Sequence, residues 1–482
     1  MFKALYQNIQ TLSKISQNIE KRLTILLYDY IIKDRFICLS AKNTVRIKNL
    51  EGLMILRMAN IKAFKGLRYT KNAGKIKTLT CPPYDIISED ERLSFLDENE
   101  YNIIRLELPK GDEPYKTAGK TLNNWLENEI LKQDPNECIY IYEEKFTING
   151  QTKSIKGIIA NVRLEEFEKG IILPHEFTLS KAKTDRFNLM EATGCNFSQI
   201  YSLYSDEQKT ASALIEKASS GSPEVIMEDK SGIVHSLWAV SDVQTITALT
   251  ACFDDKKLYI ADGHHRYETA LNYRNTCRQN KKCCEVGNAD YVMMMLVDMA
   301  HEGLLVLPTH RLVRDLETFD EEALLKGAQK YFEITQKTGV ENIEQELELF
   351  YEKNEKAFGL YTGGDTWTQL VLKDHDILKK LLPDMSSASR GLDVTVLHTL
   401  ILEGILGIDK ENMANQVNLT YVKQFSDAVE SVKNKTSRCA FILNPTRVSE
   451  IRDVAAAGEK MPQKSTYFYP KLITGLVMNK LL

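Results

Sequence analysis

The stretch that decides the fold is LYIADGHHRYETAL, residues 258–271. Lys257–Ala261 is a short apolar run that predicts a strand, and it delivers Asp262 and Gly263 to a turn. From Arg266 to about Arg278 the sequence has the pattern of a helix. A strand, a glycine turn and a helix in succession favour a mixed α/β (α+β) protein.

The turn carries polar side chains where the predicted helix begins. Gly263 lets the backbone approach a ligand closely. His264, His265 and Arg266 lie near the helix N terminus, where the helix dipole favours an anion and arginine can bind phosphate with two N–H groups. Asp262 is suited to hold a metal ion or to accept a hydroxyl proton. We predict a phosphate-binding turn with a carboxylate beside it; the alternative is a structural helix start with Asp262 as N-cap.

A second polar cluster lies in LPHEFTLSKAKTDRF, residues 173–187. Glu176 is a candidate general base, and Lys183 and Arg186 are candidate phosphate ligands. His175 is a candidate substrate contact. In the first cluster, His265 is a candidate catalytic residue. The alternative for this segment is a solvated, charge-rich helix start.

Three further segments supply candidate substrate-binding residues. TCPPYDII (80–87) is a double-proline turn, LPTHRLV (307–313) follows an apolar run, and the C-terminal tail is basic and aromatic. The candidates are Tyr84, Asp85, Arg311, Lys464, Ser465 and Thr466. The alternatives are a purely structural turn at 80–87, a surface segment at 307–313 and a loose basic C terminus. We expect segments 80–87, 174–186, 258–270 and 462–471 to meet in one cleft.

Composition excludes several classes of protein. The 482 residues are 43% hydrophobic and 27% charged, as in soluble globular proteins, and correspond to roughly three domain-sized units. The net charge of −4 lacks the basic excess of a nucleic-acid-binding protein. Nine scattered cysteines without a CxxC pair predict reduced thiols in the cytoplasm. The phosphate-loop GxxxxGK[ST], GxGxxG, HExxH and GxSxG motifs are absent from the sequence.

Residues 1–57 differ from the rest of the chain. They contain ten Lys/Arg against four Asp/Glu, a charge of +6, and no apolar run of about 20 residues that would span a membrane. MANIKAFKGLRYT, which starts at Met58, reads as an ordinary protein start, so we interpret 1–57 as an extension from a mis-assigned start codon. The alternative is a basic helix that binds a membrane surface or a partner.

The remainder is predicted to comprise three parts. Residues 58–310 form an α/β core, 311–445 a helix-rich α/β region, and 446–482 a basic, aromatic segment that packs back on the core. Predicted strands are Ile139–Tyr142, Ser154–Val162, Tyr291–Val297, Ala357–Tyr361 and Ala440–Leu443. Residues 115–132 are predicted as a helix, 315–385 as charged and helical around the strand at Ala357, and Leu392–Ile408 as a core helix.

From about Met58 to the C terminus the chain resembles the DUF1015 family. The resemblance rests on PPYDII, LPHEFT with KTDR, YIADGHHRYETA, LPTHRLV, DVTVLHTLIL and MPQKSTYFYPKLITGLV, in this order. The DGHHR turn is similar to the nucleotide-binding turn of the ParB/sulfiredoxin-like superfamily, which implies a nucleotide-binding core of that type with a helix-rich C-terminal part.

The resemblance also implies roles for residues. In the ADP-dependent free serine kinases of that superfamily, an Asp-Gly-His-x-Arg turn holds phosphates, and its Asp and a separate Glu lie near the serine hydroxyl. Gly263, His264, His265 and Arg266 would then bind phosphate and Asp262 would be near a metal ion or act as a base. Glu176 matches the separate carboxylate by role only. The turn has no cysteine, so sulfiredoxin chemistry is not implied, and ParB-type DNA-binding helices are lacking.

These inferences predict an ATP- or ADP-dependent phosphotransferase with Mg²⁺ as cofactor. Its acceptor would be a small hydroxyl compound, most simply free L-serine, and the protein would be cytoplasmic, without nucleic-acid or membrane partners, and a possible homodimer. Two alternatives stay open. One is a non-catalytic nucleotide-binding regulator, and the other is a metal-dependent phosphodiester hydrolase.

Overall fold

The structure, a computed structural model, describes residues 58–178, 180–280 and 288–481. These residues fall within one compact unit. The extension predicted for residues 1–57, with its alternative, lies outside the described residues, as do Cys38, Cys283 and Cys284.

The first sheet is mixed and has nine strands within the described residues. In spatial order it contains Ile172–Leu173, Leu258–Asp262, Ile200–Tyr204, Tyr291–Asp298, Gln151–Arg163, Ile139–Ile148, Val234–Val240 and Val225–Glu228, with Ile61–Lys62 paired to Gln151–Arg163. The first two of these strands are parallel to each other, as are Ile200–Tyr204 and Tyr291–Asp298, and the other neighbours are antiparallel.

Tyr291–Asp298 is a central strand of this sheet, and its sequence is apolar throughout because both faces of the sheet are covered. Met294 and Leu296 pack into one apolar cluster, whereas Met293 and Met295 pack into another on the opposite face. The prediction of a buried central strand here is confirmed.

The second sheet has six strands in the described part of the chain. Its order is Phe332–Thr338, Thr366–Leu372, Ala357–Tyr361, Cys439–Ile442, His310–Val313 and Leu419–Val422. The prediction that residues 315–385 are helical apart from Ala357–Tyr361 is therefore wrong for Phe332–Thr338 and Thr366–Leu372, which are strands. Phe332–Thr338 lies at the edge of the sheet with most of its side chains exposed, and its polar sequence does not differ from that of a solvated helix.

Helices cover both sheets and join their strands. Their bounds are Glu89–Glu98, Ile104–Glu107, Pro114–Glu127, Ser180–Thr193, Thr210–Ala218, Val243–Ala251, His264–Asn280, Glu321–Ala328, Ile343–Glu352, Ile377–Leu381, Ser387–Arg390, Asp393–Leu397, Lys410–Asn415, Phe425–Lys433 and Val448–Ala456. Short 3₁₀ turns lie at Lys71–Ala73, Ile76–Thr78, Tyr84–Ile86, Phe167–Lys169 and Val340–Asn342. Across residues 58–178, 180–280 and 288–481, the helices are too short or too polar to cross a bilayer.

Two helices differ from their predicted bounds. The predicted helix 115–132 ends at Glu127, because Leu131–Gln133 forms a strand that pairs with Leu67–Tyr69. The predicted core helix 392–408 is α-helical only over Asp393–Leu397 and continues as a π-helical turn, His398–Glu403.

The C-terminal segment passes from the second sheet back to the first. Tyr467–Tyr469 pairs with Leu305–Leu307, and Asn479–Lys480 pairs with Cys195–Asn196. Thr474 forms an isolated bridge with Cys81. This path brings residues 460–474 alongside the turn at Gly263.

Candidate functional site

The strand Leu258–Asp262 places Asp262 at the edge of a tight turn. Its pairing with Ile200–Tyr204 shifts register between Ile260 and Asp262, a bulge of the kind that redirects a side chain. Gly263 has a φ of +93°, which side-chain-bearing residues rarely adopt. The helix then begins at His264, two residues before the predicted start.

Asp262 is bound by two cations. Its Oδ2 accepts a hydrogen bond of 2.8 Å from Nη2 of Arg266, and its Oδ1 accepts one from Nζ of Lys471. Burial disfavours the charged carboxylate, but Lys471 and Arg266 outweigh it and hold the pKa of Asp262 below its ordinary value. The carboxylate is therefore a counter-ion and a weak base.

Arg266 folds back over the turn. Its Nη1 donates to the carbonyl of Gln199 at 2.6 Å, and its buried Nε has no hydrogen-bond partner. A Cβ atom added to Gly263 would lie 2.9 Å from Nε of Arg266, so the absence of a side chain makes room for the guanidinium.

His175 and His264 form a buried pair with defined tautomers. Their rings meet edge to face at a centroid distance of 4.7 Å. Nδ1 of His175 donates to the carbonyl of Ile260 at 2.8 Å, which leaves its Nε2 to accept from the Thr466 hydroxyl at 3.0 Å. Nε2 of His264 accepts the backbone N–H of His175 at 3.2 Å, so its proton is on Nδ1.

Burial keeps both rings neutral. It lowers the pKa of His175 to about 4 and the pKa of His264 well below its ordinary value. Burial also lowers the pKa of the half-buried His265, despite the nearby carboxylates of Asp85 and Glu268. The three histidines therefore act as neutral groups at physiological pH.

Glu176 faces the protonated nitrogen of His264. Its Oε2 lies 3.7 Å from Nδ1 of His264, and its side chain is 35% exposed. Burial raises the pKa of Glu176, although the charge and backbone N–H of Lys464 oppose the shift. A carboxylate with a raised pKa and access to solvent is suited to general base catalysis.

Lys183 is paired with Glu268, which lies one turn after His264 in the helix His264–Asn280. Its Nζ donates to Oε2 of Glu268 at 2.7 Å, and the Thr178 hydroxyl donates to the same oxygen at 2.7 Å. Lys460 approaches the other oxygen of Glu268 at 4.0 Å. Glu268 thus gathers two lysines next to the turn.

The double-proline turn packs against the helix that carries Arg186. The guanidinium of Arg186 lies over the ring of Tyr84, 4.1 Å from its centroid, and its Nη1 donates to the carbonyl of Glu107 at 2.7 Å. Burial, together with the charge of the exposed Asp85, raises the pKa of Tyr84 to about 12. Arg186 is buried, and its role as a phosphate ligand stays a prediction.

The three tail candidates have different environments. Lys464 is exposed, Thr466 binds His175, and the buried Ser465 hydroxyl donates to the carbonyl of Pro462 at 2.5 Å. Arg311 lies on the strand His310–Val313 of the second sheet and reaches the tail at the carbonyl of Lys464, 3.0 Å from its Nη2.

The four segments expected to share a cleft do lie together. Segment 174–186 contacts 80–87 through Arg186 and Tyr84, segment 258–270 through Glu176 and His264, and the tail through His175 and Thr466. Arg311 approaches the tail from the second sheet. The functional roles of these residues remain predictions.

Glu268 and Glu107 of the site were not assigned a role from sequence, and Lys471 was predicted only as part of an anion-binding tail. Lys471 belongs to the basic tail, and Glu268 lies two residues after Arg266. The only feature of the sequence that points to either residue is its charge close to a predicted site segment. Glu107 is buried in the α-helical turn Ile104–Glu107, and its sequence neighbourhood gives no such signal.

The contacts of Asp262 do not suit the metal ion predicted there. Both carboxylate oxygens are occupied by cations, and the described residues contain no cluster of three or more His, Cys, Asp or Glu side chains placed to hold a metal. Asp262 is therefore not assigned as a ligand of a protein-bound metal.

Room at the turn is limited. A cavity of about 40 Å³ lies between Arg186, Arg266, Glu107 and Ser198, which is enough for ordered water. A larger cavity of about 360 Å³ adjoins the site, because its wall includes Phe177 and Lys460 as well as the π-helical turn. Another, of about 590 Å³, lies beside His301.

The chain belongs to the DUF1015 family, a family described as "protein of unknown function", whose model matches residues 61–395. No curated protein matches the chain.

Several solved structures are distantly similar. Free serine kinase in complex with AMP is 12% identical with a TM-score of 0.34, over 67% of this chain and 91% of that chain. A conserved hypothetical protein from Pyrococcus furiosus is 14% identical with a TM-score of 0.32, over 67% and 95%. SbnI with C-terminal truncation from Staphylococcus aureus is 11% identical with a TM-score of 0.31, over 66% and 86%.

Proposed function

We propose that the turn at Gly263 belongs to a phosphotransferase that uses ATP or ADP to phosphorylate a small hydroxyl compound, with free L-serine as the leading acceptor. The observation that carries the proposal is the pairing of a candidate base with a candidate anion site. Glu176 lies 3.7 Å from His264, at the N terminus of a helix where Arg266 and Lys471, bound to the single carboxylate of Asp262, leave a net positive charge.

In the proposed step the acceptor hydroxyl oxygen attacks the terminal phosphorus of the nucleotide. A P–O bond forms to the acceptor, the P–O bond to the departing ADP or AMP breaks, and the hydroxyl proton passes to Glu176. Catalysis of this kind depends mainly on positioning and on charges that stabilise the phosphoryl oxygens.

The two carboxylates of the turn have different roles in this proposal. Asp262 is a poor base because Lys471 and Arg266 lower its pKa, whereas the pKa of Glu176 is raised towards the range of a base. We therefore assign proton transfer to Glu176. Asp262 is a positioning residue that holds Arg266 and Lys471 at the turn before the helix His264–Asn280.

The remaining groups are assigned by exposure. Lys464 is exposed and its charge acts on Glu176, so it would pair with the acceptor's carboxylate. The nucleotide base and ribose would lie outside the turn, because the cavity beside Arg266 holds only about 40 Å³.

The test is transfer of label from γ-labelled ATP or β-labelled ADP to L-serine and to a panel of small hydroxy compounds, with and without Mg²⁺. We expect Glu176→Gln to reduce the rate by about 10²- to 10⁴-fold, the usual contribution of a general base, with little change in nucleotide affinity. Arg266→Lys should weaken nucleotide binding as well. Glu216→Gln, an exposed carboxylate that pairs with Lys156, is the matched control and should retain activity.

Other outcomes identify the alternatives. Nucleotide binding without a phosphorylated product across the panel contradicts the kinase proposal and favours a non-catalytic regulator. Phosphodiester cleavage without an acceptor would favour a hydrolase.

A further inference from the structure

A cavity of about 360 Å³ lies between the π-helical turn His398–Glu403 and Lys460, the lysine that approaches Glu268 of the candidate site. Its walls are largely apolar and include Phe177, Leu382, Met385 and Met413. π-helical turns are rare and occur often at functional sites. The cavity is therefore a candidate ligand site.

Arg311 lies behind this cavity as a buried cation without a counter-ion. It is 1% exposed, and its partners are the carbonyls of Thr309 and Lys464, Nε2 of His398 and the ring of Tyr421. Within the described residues no carboxylate pairs with it. Burial lowers the pKa of Arg311 to about 10, so the guanidinium is still charged at neutral pH. A buried charge of this kind is costly unless an anion lies close to it.

His398 connects Arg311 to the cavity. Its Nε2 accepts from Nε of Arg311 at 3.4 Å, and because arginine can only donate, the ring proton of the neutral His398 is on Nδ1. Burial lowers the pKa of His398, which keeps it neutral. The cavity is thus lined by a histidine that has an N–H to donate.

Two hydroxyl groups on the cavity wall lack partners. Thr395 is 3% exposed, and its Oγ1 makes no hydrogen bond; Oη of Tyr421 is also buried without a partner. Buried polar atoms nearly always have a hydrogen-bond partner, so two unpaired hydroxyls on residues of one cavity wall indicate a missing acceptor. Lys410 and Lys460 add positive charge to the wall, opposed by Glu403.

We propose that this cavity binds a small carboxylate with an apolar body, such as a medium-chain aliphatic acid. The hydroxyls of Thr395 and Tyr421 and Nδ1–H of His398 would donate to the carboxylate, and its charge would compensate Arg311. The apolar wall would cover the hydrocarbon. This ligand site does not depend on the function proposed for the turn.

The experiment is calorimetric titration of the full chain with octanoate and with octanamide, which has the same length and no charge. Octanoate should bind at least tenfold more tightly than octanamide. Thr395→Val replaces an unpaired hydroxyl with a methyl group, so the fold should be retained while octanoate binding weakens about tenfold. His398→Phe should weaken it similarly. Thr210→Val, which lines a different cavity, should bind as the unchanged protein does.

Each other result overturns the proposal. Equal binding of octanoate and octanamide would show an apolar cavity without carboxylate recognition. Octanoate binding that is unchanged in both Thr395→Val and His398→Phe would place the ligand elsewhere, and no binding of octanoate would remove the site. Thermal unfolding of Thr395→Val separates loss of binding from loss of fold.

Discussion

Gly263 determines the geometry of the turn because its backbone has a φ of +93°. A side chain there would be strained in this conformation and would also press on the guanidinium of Arg266. The position therefore requires glycine for two independent reasons, one conformational and one steric.

We expect Gly263→Ala to lower the free energy of unfolding by about 2 kcal/mol, the usual cost of a strained backbone conformation. Urea denaturation measures the change. Gly221→Ala is the matched control, because a Cβ there meets nothing within 4 Å and its φ is not positive; its stability should change by less than about 0.5 kcal/mol. Equal effects of the two substitutions would contradict the argument.

His175 should give the protein a defined pH dependence. Its pKa is about 4 in the folded chain and about 6.5 when unfolded, so the unfolded state binds more protons between these values. The His175 contribution to stability is intact above pH 6.5 and is lost as the pH falls towards 4.

Between pH 7 and pH 5 this contribution decreases by about 2 kcal/mol. We expect His175→Asn to remove that part of the decrease, measured as the difference between urea unfolding curves of the variant and the unchanged protein at several pH values. His375→Asn, at an exposed position, is the control. Variant and unchanged protein that lose stability in parallel would show that His175 is not the titrating group.

At the scale of elements, the C-terminal segment completes the site. Thr466 fixes His175, Lys471 binds Asp262, and Phe468 is buried with its ring 5.7 Å from that of Tyr201. These contacts join residues separated by about 200 to 290 positions in the chain, so the turn is fully formed only when the C-terminal segment is docked.

We expect Phe468→Ala to lower the free energy of unfolding by about 4 kcal/mol, since a large buried side chain is lost. Limited proteolysis should then cleave the segment that follows residue 460 first, because its docking is weakened. Leu349→Ala removes an exposed side chain and should change stability by less than about 0.5 kcal/mol. A cleavage pattern unchanged by Phe468→Ala would show that the segment is held by other contacts.

The sequence predicts elements well where one local signal dominates. The apolar run at Tyr291–Val297 and the strand and turn at 258–263 are local signals, and both are found. The strand Phe332–Thr338 was missed because an exposed edge strand has no apolar periodicity. The burial of Arg186 and the two cations on Asp262 depend on contacts between distant segments, which a single sequence does not contain.

At the scale of the whole molecule, the C-terminal segment links the regions of the two sheets. The tail pairs with Leu305–Leu307 next to the second sheet and with Cys195–Asn196 next to the first. Unfolding of either region removes partners from the other, which favours one cooperative transition.

The three tryptophans allow this to be tested. Trp367 is buried in the second sheet, whereas Trp125 and Trp238 lie in the first part of the chain. In a variant with Trp125→Phe and Trp238→Phe, fluorescence reports the second sheet; in Trp367→Phe, it reports the first part of the chain. Circular dichroism gives the overall stability of each variant, by which its fluorescence midpoint is corrected. We expect the two corrected denaturation midpoints to be the same. Two separate midpoints would show that the regions unfold independently.

The buried cysteines have a practical consequence for following these events. Burial raises the pKa of Cys81, Cys195 and Cys439, so little thiolate is present in the folded chain and alkylating reagents react slowly. Cys195 pairs with the C-terminal strand and Cys439 lies in the second sheet. Mass spectrometry of iodoacetamide-treated protein would therefore follow two events separately. Alkylation of Cys195 reports release of the C-terminal segment, and alkylation of Cys439 reports opening of the second sheet, without any engineered cysteine.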